Sequence, residues 1–147
     1  YKKYNSLKSE NLEDNYFSIN FGGKFFSNND AKIIGFIRED LKVLQSENII
    51  NEKEFSILLS SLIFSMDRIA NTCGHYDSYM KKQNIRSEFK FELINPCNIT
   101  NKNINIFRED SNQLASKIKA DIAFIDPPYN SRQYSRFYHV LENVTKW

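Results

Sequence analysis

Cysteine is scarce: Cys73 and Cys97 are the only two in 147 residues. Two thiols make no disulfide framework, and no Cys-x-x-Cys pair or Cys/His ligand spacing is present, which speaks against a structural zinc site. They read as reduced, partly buried thiols of a cytosolic protein. Histidine is equally sparse. His75 and His139 have no second ligand in register, so each reads as a structural hydrogen-bonding residue and no metal is expected. No apolar run approaches the ~20 residues that span a bilayer, and the polar N-terminus lacks the apolar core of a signal peptide. A cytoplasmic protein without membrane contact is expected. An excess of either charge is lacking too: 20 Lys and Arg stand against 18 Asp and Glu, a net charge of +2. That balance permits a nucleic-acid partner without arguing for one.

What is present suffices for a core. Hydrophobic residues make up 41% and aromatics 14%, which excludes disorder of the whole chain. The length fits one domain, or one with a smaller piece attached. The chain starts at Tyr1 and ends inside a helical pattern, so a fragment of a longer polypeptide is expected.

The first 29 residues are polar apart from an aromatic cluster, Tyr16-Phe17 through Phe25-Phe26, interrupted by the turn signal Gly22-Gly23. Asp30 is placed as an N-cap, with Ile33, Ile34, Ile37, Leu41 and Leu44 at helical spacing behind it, over roughly four turns. Asn51 and Glu54 have capping-box spacing. The stripe Phe55, Leu58, Leu59, Leu62, Ile63, Met66, Ile69 and Ala70 follows, with Gly74 as the stop. These helices are expected to pair antiparallel. The pattern then changes. Phe89, Phe91 and Leu93 alternate with charges as in a half-buried strand ending at Asn95-Pro96, and Ile104, Ile106 and Phe107 suggest another. Residues 111–119 read as a helix with Leu114, Ala115 and Ile118 inward. Ile122-Ala123-Phe124-Ile125 reads as a strand buried on both faces, and 135–147 as a closing helix. The expectation is an α/β fold: a helical subdomain over 1–85, a candidate target-recognition insertion, and part of a parallel α/β domain over 86–147.

Asp126-Pro127-Pro128-Tyr129 directly follows the last expected strand, where α/β sheets bind their ligands. The prolines fix φ and remove two backbone donors, leaving stiff, free carbonyl acceptors. Such a loop suits an exocyclic amine. The Asp126 carboxylate takes one N–H and a proline carbonyl the other, which turns the nitrogen lone pair out of conjugation with its ring. Tyr129 offers a face for the base, stacking worth ~1–3 kcal/mol. The base must be flipped out of a duplex to reach it. A rigid proline turn at a strand end is the plain alternative.

The run from Asp121 through Asp126-Pro127-Pro128-Tyr129-Asn130-Ser131-Arg132-Gln133-Tyr134 to Tyr138-His139 resembles the D12 class of adenine-specific DNA methyltransferases, above all the modification methylases of restriction–modification systems. Residues 28–37 and 67–82, around Asn71-Thr72-Cys73-Gly74-His75-Tyr76, resemble segments of the same family less specifically. The resemblance implies a partial Rossmann-like S-adenosylmethionine-dependent methyltransferase domain with Asp126, Pro127, Pro128 and Tyr129 as the adenine-binding catalytic motif. It also places Asp110, with Ser111 beside it, where the family contacts the cofactor's adenine, and Asp126 is a candidate cofactor contact as well; Asp110 reads equally well as a helix N-cap. Site-specific methylation of adenine N6 in double-stranded DNA is implied, and a cognate restriction endonuclease is left open. The family's Phe-x-Gly-x-Gly cofactor motif has no match here, since Gly22-Gly23 lacks a preceding buried strand. The chain is therefore expected to hold part of the cofactor site, and its activity alone is left open.

Basic and aromatic residues interleave after the motif. Arg132 and Tyr134 are read as facing the nucleic acid, Arg136 and Tyr138 as not. Lys24 is a candidate phosphate contact, with a solvated lysine as the plain alternative. Two other functions fit the sequence: an RNA N-methyltransferase, and a non-catalytic nucleic-acid-binding module.

Overall fold

The computed structural model describes residues 1–81, 85–97, 103–127 and 133–147. They form two compact units, one of Tyr1–Pro96 with Gln133–Trp147 and one of Cys97–Arg132. Helix is the regular structure among the described residues, which otherwise show only two isolated bridges, Gly22 to Phe26 and Thr72 to Tyr79.

The larger unit opens with two short 3-10 turns, Lys2–Ser6 and Ser9–Asn11. Helix α1 (Tyr16–Phe21) starts at Asn15, whose side chain and that of Ser18 cap each other's backbone N–H. The aromatic run before the glycines is thus helical. Gly23 then adopts φ +68° and donates to the Phe26 carbonyl, making the expected turn.

Helix α2 (Asn28–Ser46) is longer than its apolar stripe suggested. Its N-cap is Ser27, which accepts from the Asp30 N–H at 3.0 Å; Asp30 lies inside the first turn rather than before it. Ile34, Ile37 and Leu41 are buried as expected, with Ile33 and Leu44 half-buried. Asn48 in the left-handed region (φ 56°) turns the chain into helix α3 (Glu52–Asp67). The Asn51–Glu54 capping box is formed in both directions, at 3.0 and 2.9 Å. Leu62 and Met66 are buried and the rest of the stripe is half-buried against the core. The helix stops at Asp67, well before Gly74, which instead serves the following loop with φ +96°.

Helices α1, α2 and α3 pack around one apolar cluster that includes Phe17, Phe26, Ile34, Leu41, Leu62, Phe91, Val140 and Val144. The expected C-terminal helix is two, α5 (Tyr134–Phe137) and α6 (His139–Lys146), broken at Tyr138 (φ −121°, ψ 15°). The buried Arg38 of α2 caps the end of α6, donating to the carbonyls of Val144 and Trp147. In the smaller unit, Asp110 caps helix α4 (Ser111–Lys117), of which only Leu114 is half-buried; Ala115 and Ile118 are exposed rather than inward.

The expected strands are not formed among the described residues. Residues 89–93 form no strand; the N–H groups of Phe89, Phe91, Glu92 and Ile94 donate instead to side chains from elsewhere in the unit, Asp30, Asn5, Ser65 and Ser61. Phe91 is buried as read, whereas Leu93 is exposed. Ile104, Ile106 and Phe107 are exposed. The run expected to be buried on both faces is also open: Ile122 is 88%, Phe124 92% and Ile125 81% exposed. A strand needs ladder partners on its edges and cover on its faces, and no described residue supplies either. Cys73 and Cys97 are both exposed, against the partial burial expected of them.

Candidate active-site loop and its anchor

In the smaller unit, Asp110 has taken the cap role. Its Oδ1 accepts from the N–H groups of Asn112 (3.0 Å) and Gln113 (3.1 Å), satisfying two helix-end donors and setting a carboxylate at the positive end of α4. Its Oδ2 has no hydrogen bond among the described residues, so capping leaves one oxygen able to accept from another group. Ser111 begins the helix and is exposed. Asp126 and Pro127 are exposed as well, and the Asp126 carboxylate has no hydrogen bond or ion pair with a described residue. Pro128, Tyr129 and Arg132 lie outside the described residues. Among the described residues no hydrogen bond or ion pair joins Asp110 or Ser111 to Asp126.

The chain re-enters the larger unit at Gln133. Tyr134 is exposed and stacks on Tyr138, ring centroids 5.7 Å apart and planes 15° from parallel. An outward-facing tyrosine pair of this kind offers flat apolar area. Arg136 is turned to Asp77 and pairs with it through Nε. Lys24 is exposed on the Gly22-Gly23 turn, its Nζ donating to the Asn20 carbonyl at 3.2 Å. Lys24 and Tyr134 make no contact with each other among the described residues.

The short helix α5 is held by the loop over residues 71–79, a contact the local patterns did not indicate. The Tyr76 N–H donates to the Phe137 carbonyl at 2.8 Å. The His75 ring lies 4.9 Å from that of Phe137. Tyr76 is buried, and its hydroxyl donates to Asp67, the last residue of α3, at 2.7 Å. Burial and the neighbouring Asp67 carboxylate push the Tyr76 phenol far above the ordinary tyrosine range. At the loop's base Asn71 donates through Nδ2 to the carbonyls of Lys24 (2.9 Å) and Met80 (2.7 Å). The one sequence signal for this loop was that 67–82 resembled the family; no local spacing pairs residue 77 with residue 136. His139 sits against Phe21 and Phe25 with Nδ1 3.1 Å from the Arg136 carbonyl. Among the described residues no group of three or more His, Cys, Asp and Glu could hold a metal ion. Nor is any helix of these residues long and apolar enough to cross a membrane.

Comparison with known proteins covers the whole chain. It is 39% identical over 147 aligned residues to the modification methylase StsI of Streptococcus sanguinis, an alignment covering 93% of this chain and 22% of that protein. It is 40% identical to the type II methyltransferase M.FokI of Planomicrobium okeanokoites, covering 82% of this chain and 19% of the relative. Against the type II methyltransferase M.NlaIII of Neisseria lactamica it is 31% identical, over 82% of this chain and 36% of the relative. The chain thus spans between about a fifth and about a third of the length of these relatives. No solved structure matches it. Residues 1–147 match throughout the family described as D12 class N6 adenine-specific DNA methyltransferase, and to that family the chain belongs.

Proposed function

We propose that this chain is the motif-bearing part of a site-specific methyltransferase that transfers a methyl group from S-adenosylmethionine to adenine N6 in double-stranded DNA. The observation that carries the proposal is family membership across all 147 residues, with Asp126-Pro127-Pro128-Tyr129 inside the match. The relatives named as modification methylases and type II methyltransferases support a restriction–modification setting, with a cognate endonuclease as partner and the cytoplasm as location.

The roles follow from the chemistry of the groups. The exposed Asp126 carboxylate accepts one N–H of a flipped adenine's amine and a carbonyl of Pro127 or Pro128 accepts the other. Together they orient the amine and stabilise the positive charge that develops on nitrogen. Tyr129 stacks on the base. When bound, S-adenosylmethionine supplies an already activated sulfonium methyl. Asp110 fits it in one respect: Oδ2 remains an acceptor for the adenine amino group of the cofactor, with Ser111 beside it. Lys24, Arg132 and Tyr134 serve the DNA, and residues 1–85 act as the target-recognition part. We further propose that in a polypeptide of the relatives' length residues 122–125 become an inner strand of a Rossmann-like sheet within 86–147. The exposure of Ile122, Phe124 and Ile125 supports this, because a run so apolar is stable only when covered.

The test is transfer of radiolabelled methyl by the full-length protein to duplex DNA and to structured RNA. N6-methyladenine in DNA, lost on Asp126→Ala, is expected. Label in RNA alone would replace this reading with an RNA methyltransferase, and no heat on titrating S-adenosylmethionine would favour a non-catalytic binding module.

A further inference from the structure

We infer that Tyr134, Arg136 and Tyr138 form one contact surface for an opened DNA strand, the two rings taking an unpaired base and the guanidinium a phosphate. The inference deepens the DNA role proposed above for Tyr134 and rests on that reading. It adds two residues that the sequence alone had set apart from the nucleic acid. All of the observations lie within the larger unit. Side chains along this stretch divide by direction. Val140 is buried, Phe137 is half-buried against the His75 ring, and His139 packs on Phe21 and Phe25. Tyr134, Arg136 and Tyr138 are exposed and take no part in the apolar cluster.

The rings are set in place by the backbone beneath them. The Tyr138 N–H donates to the Tyr134 carbonyl at 2.9 Å, and the Glu142 N–H to that of Tyr138 at 2.8 Å. With planes only 15° from parallel, the pair is a preorganised aromatic face. The buried Tyr4 and Tyr76 spend their hydroxyls on Asp40 and Asp67. Neither hydroxyl of the exposed pair has a hydrogen bond among the described residues. Arg136 supplies the charge. Its Nε pairs with Asp77, but that carboxylate side chain is 14% exposed against 74% for the arginine, so the solvent meets the cation. Of the five guanidinium donors, Nε alone is bonded among the described residues, which leaves the Nη edge for a phosphate. A cation beside bare aromatic faces suits an anion joined to a flat ring, which is a nucleotide. Inside a duplex both faces of a base are already stacked, so such a surface takes its base from a strand that has opened. Methylation of a flipped adenine opens a pair at every turnover.

The experiment measures binding of the full-length protein, by fluorescence anisotropy, to a duplex with a short unpaired bulge and to its fully paired counterpart. Tyr134→Leu and Tyr138→Leu should each weaken binding to the bulged duplex by about 5- to 100-fold, with little change on the paired one. Tyr134→Phe and Tyr138→Phe keep the ring and should bind as wild type does. Arg136→Gln should lower the slope of log affinity against log salt by about one, whereas the leucine variants leave it unchanged. With 5-iodouracil placed in the bulge, light should crosslink the strand to the peptide carrying residues 134–138. Leucine variants that bind the bulged duplex like wild type, or crosslinks confined to other peptides, overturn the surface. So do losses equal on both DNAs and matched by a loss of folded protein. Wild-type dimers that Tyr134→Leu turns into monomers, with DNA binding unchanged, would give the pair to a second copy and overturn it too. A wild type that binds neither DNA overturns the proposed function and the surface together. One that methylates DNA while the variants bind unchanged overturns the surface alone.

Discussion

Arg38 and Val144 are joined across 106 positions of sequence: the buried guanidinium of α2 donates through Nε to the Val144 carbonyl at 2.5 Å, in the last turn of α6. A second prong, Nη2, reaches the Trp147 carbonyl at 3.1 Å, and the cation lies 5.5 Å from the centre of the Phe55 ring. Burial lowers the Arg38 pKa, yet a helix C-terminus is where a cation is most welcome. Removing the side chain strips the last turn of α6 of its donors and opens a gap beside Phe55. Arg38→Ala should cost ~2–4 kcal/mol in urea unfolding followed by circular dichroism. Arg38→Lys should recover only part, because an ammonium lacks the planar fork. A loss below ~0.5 kcal/mol for the alanine variant, the range of an ordinary surface change, would remove Arg38 from the account of stability.

Asp30 gives the second prediction. Its buried carboxylate accepts from the Ser87 hydroxyl (2.8 Å) and from the N–H groups of Glu88 (3.0 Å) and Phe89 (3.1 Å). Asp30→Ala leaves two backbone donors without their partner, at a cost of ~2–4 kcal/mol. Asp30→Asn keeps one acceptor oxygen and should cost about half as much. Amide exchange at Glu88 and Phe89 should quicken in both variants, more in alanine; slow exchange there in Asp30→Ala would contradict the assignment.

The third concerns alkaline pH. Tyr4 and Tyr76 are buried and donate to Asp40 (2.6 Å) and Asp67 (2.7 Å). Burial first, and then the carboxylate partner, raises both phenols above the ordinary 10.0. Above that pH the unfolded chain releases these protons while the folded chain keeps them, so the unfolded state binds fewer and stability falls as pH rises. The contribution is whole below pH 10.0 and declines above it by ~1.4 kcal/mol per pH unit for each tyrosine. Urea unfolding from pH 8 to 11 should show a shallower decline for Tyr4→Phe than for wild type. Identical slopes would mean that Tyr4 ionises alike in both states.

Gly22 and Gly23 make a matched pair for the fourth. A Cβ on Gly22 would stand 2.5 Å from the Ser18 carbonyl oxygen, a helix backbone atom that cannot step aside cheaply. Gly22→Ala should therefore cost ~1–3 kcal/mol. A Cβ on Gly23 would stand 3.3 Å from Asn28 Oδ1, a side-chain atom that can give way, so Gly23→Ala pays mainly for its left-handed φ of +68°, ~1–2 kcal/mol. Thermal melts should rank the two in that order.

The helices were legible because their determinants are local. The Asn51–Glu54 box and the stripe through Leu62 and Met66 lie within a few turns of each other. The N-cap of α2 was misassigned because Ser27 and Asp30 are both good caps, and only the bond from the Asp30 N–H to the Ser27 hydroxyl separates them. Strand patterns carried less. Residues 122–125 have the composition of an inner strand, but a strand exists only with its neighbours, and periodicity says nothing of whether they are at hand. The proposed catalytic motif is a run of four adjacent residues and so lies open in the sequence. The grip of the 71–79 loop on α5 does not, since Tyr76 meets Phe137 and Asp77 meets Arg136 only in three dimensions.

The segment over residues 87–94 is fastened by a carboxylate, an amide and two hydroxyls that project from three different parts of the unit. A sheet ladder offers identical rungs, so a strand can slide by two residues and still find bonds. Here each anchor differs in chemistry and stands at its own height, so no slipped alignment satisfies all of them. Inserting a single residue between Phe89 and Ile94 would therefore detach part of the segment instead of shifting it, and Phe91 would lose its seat in the core.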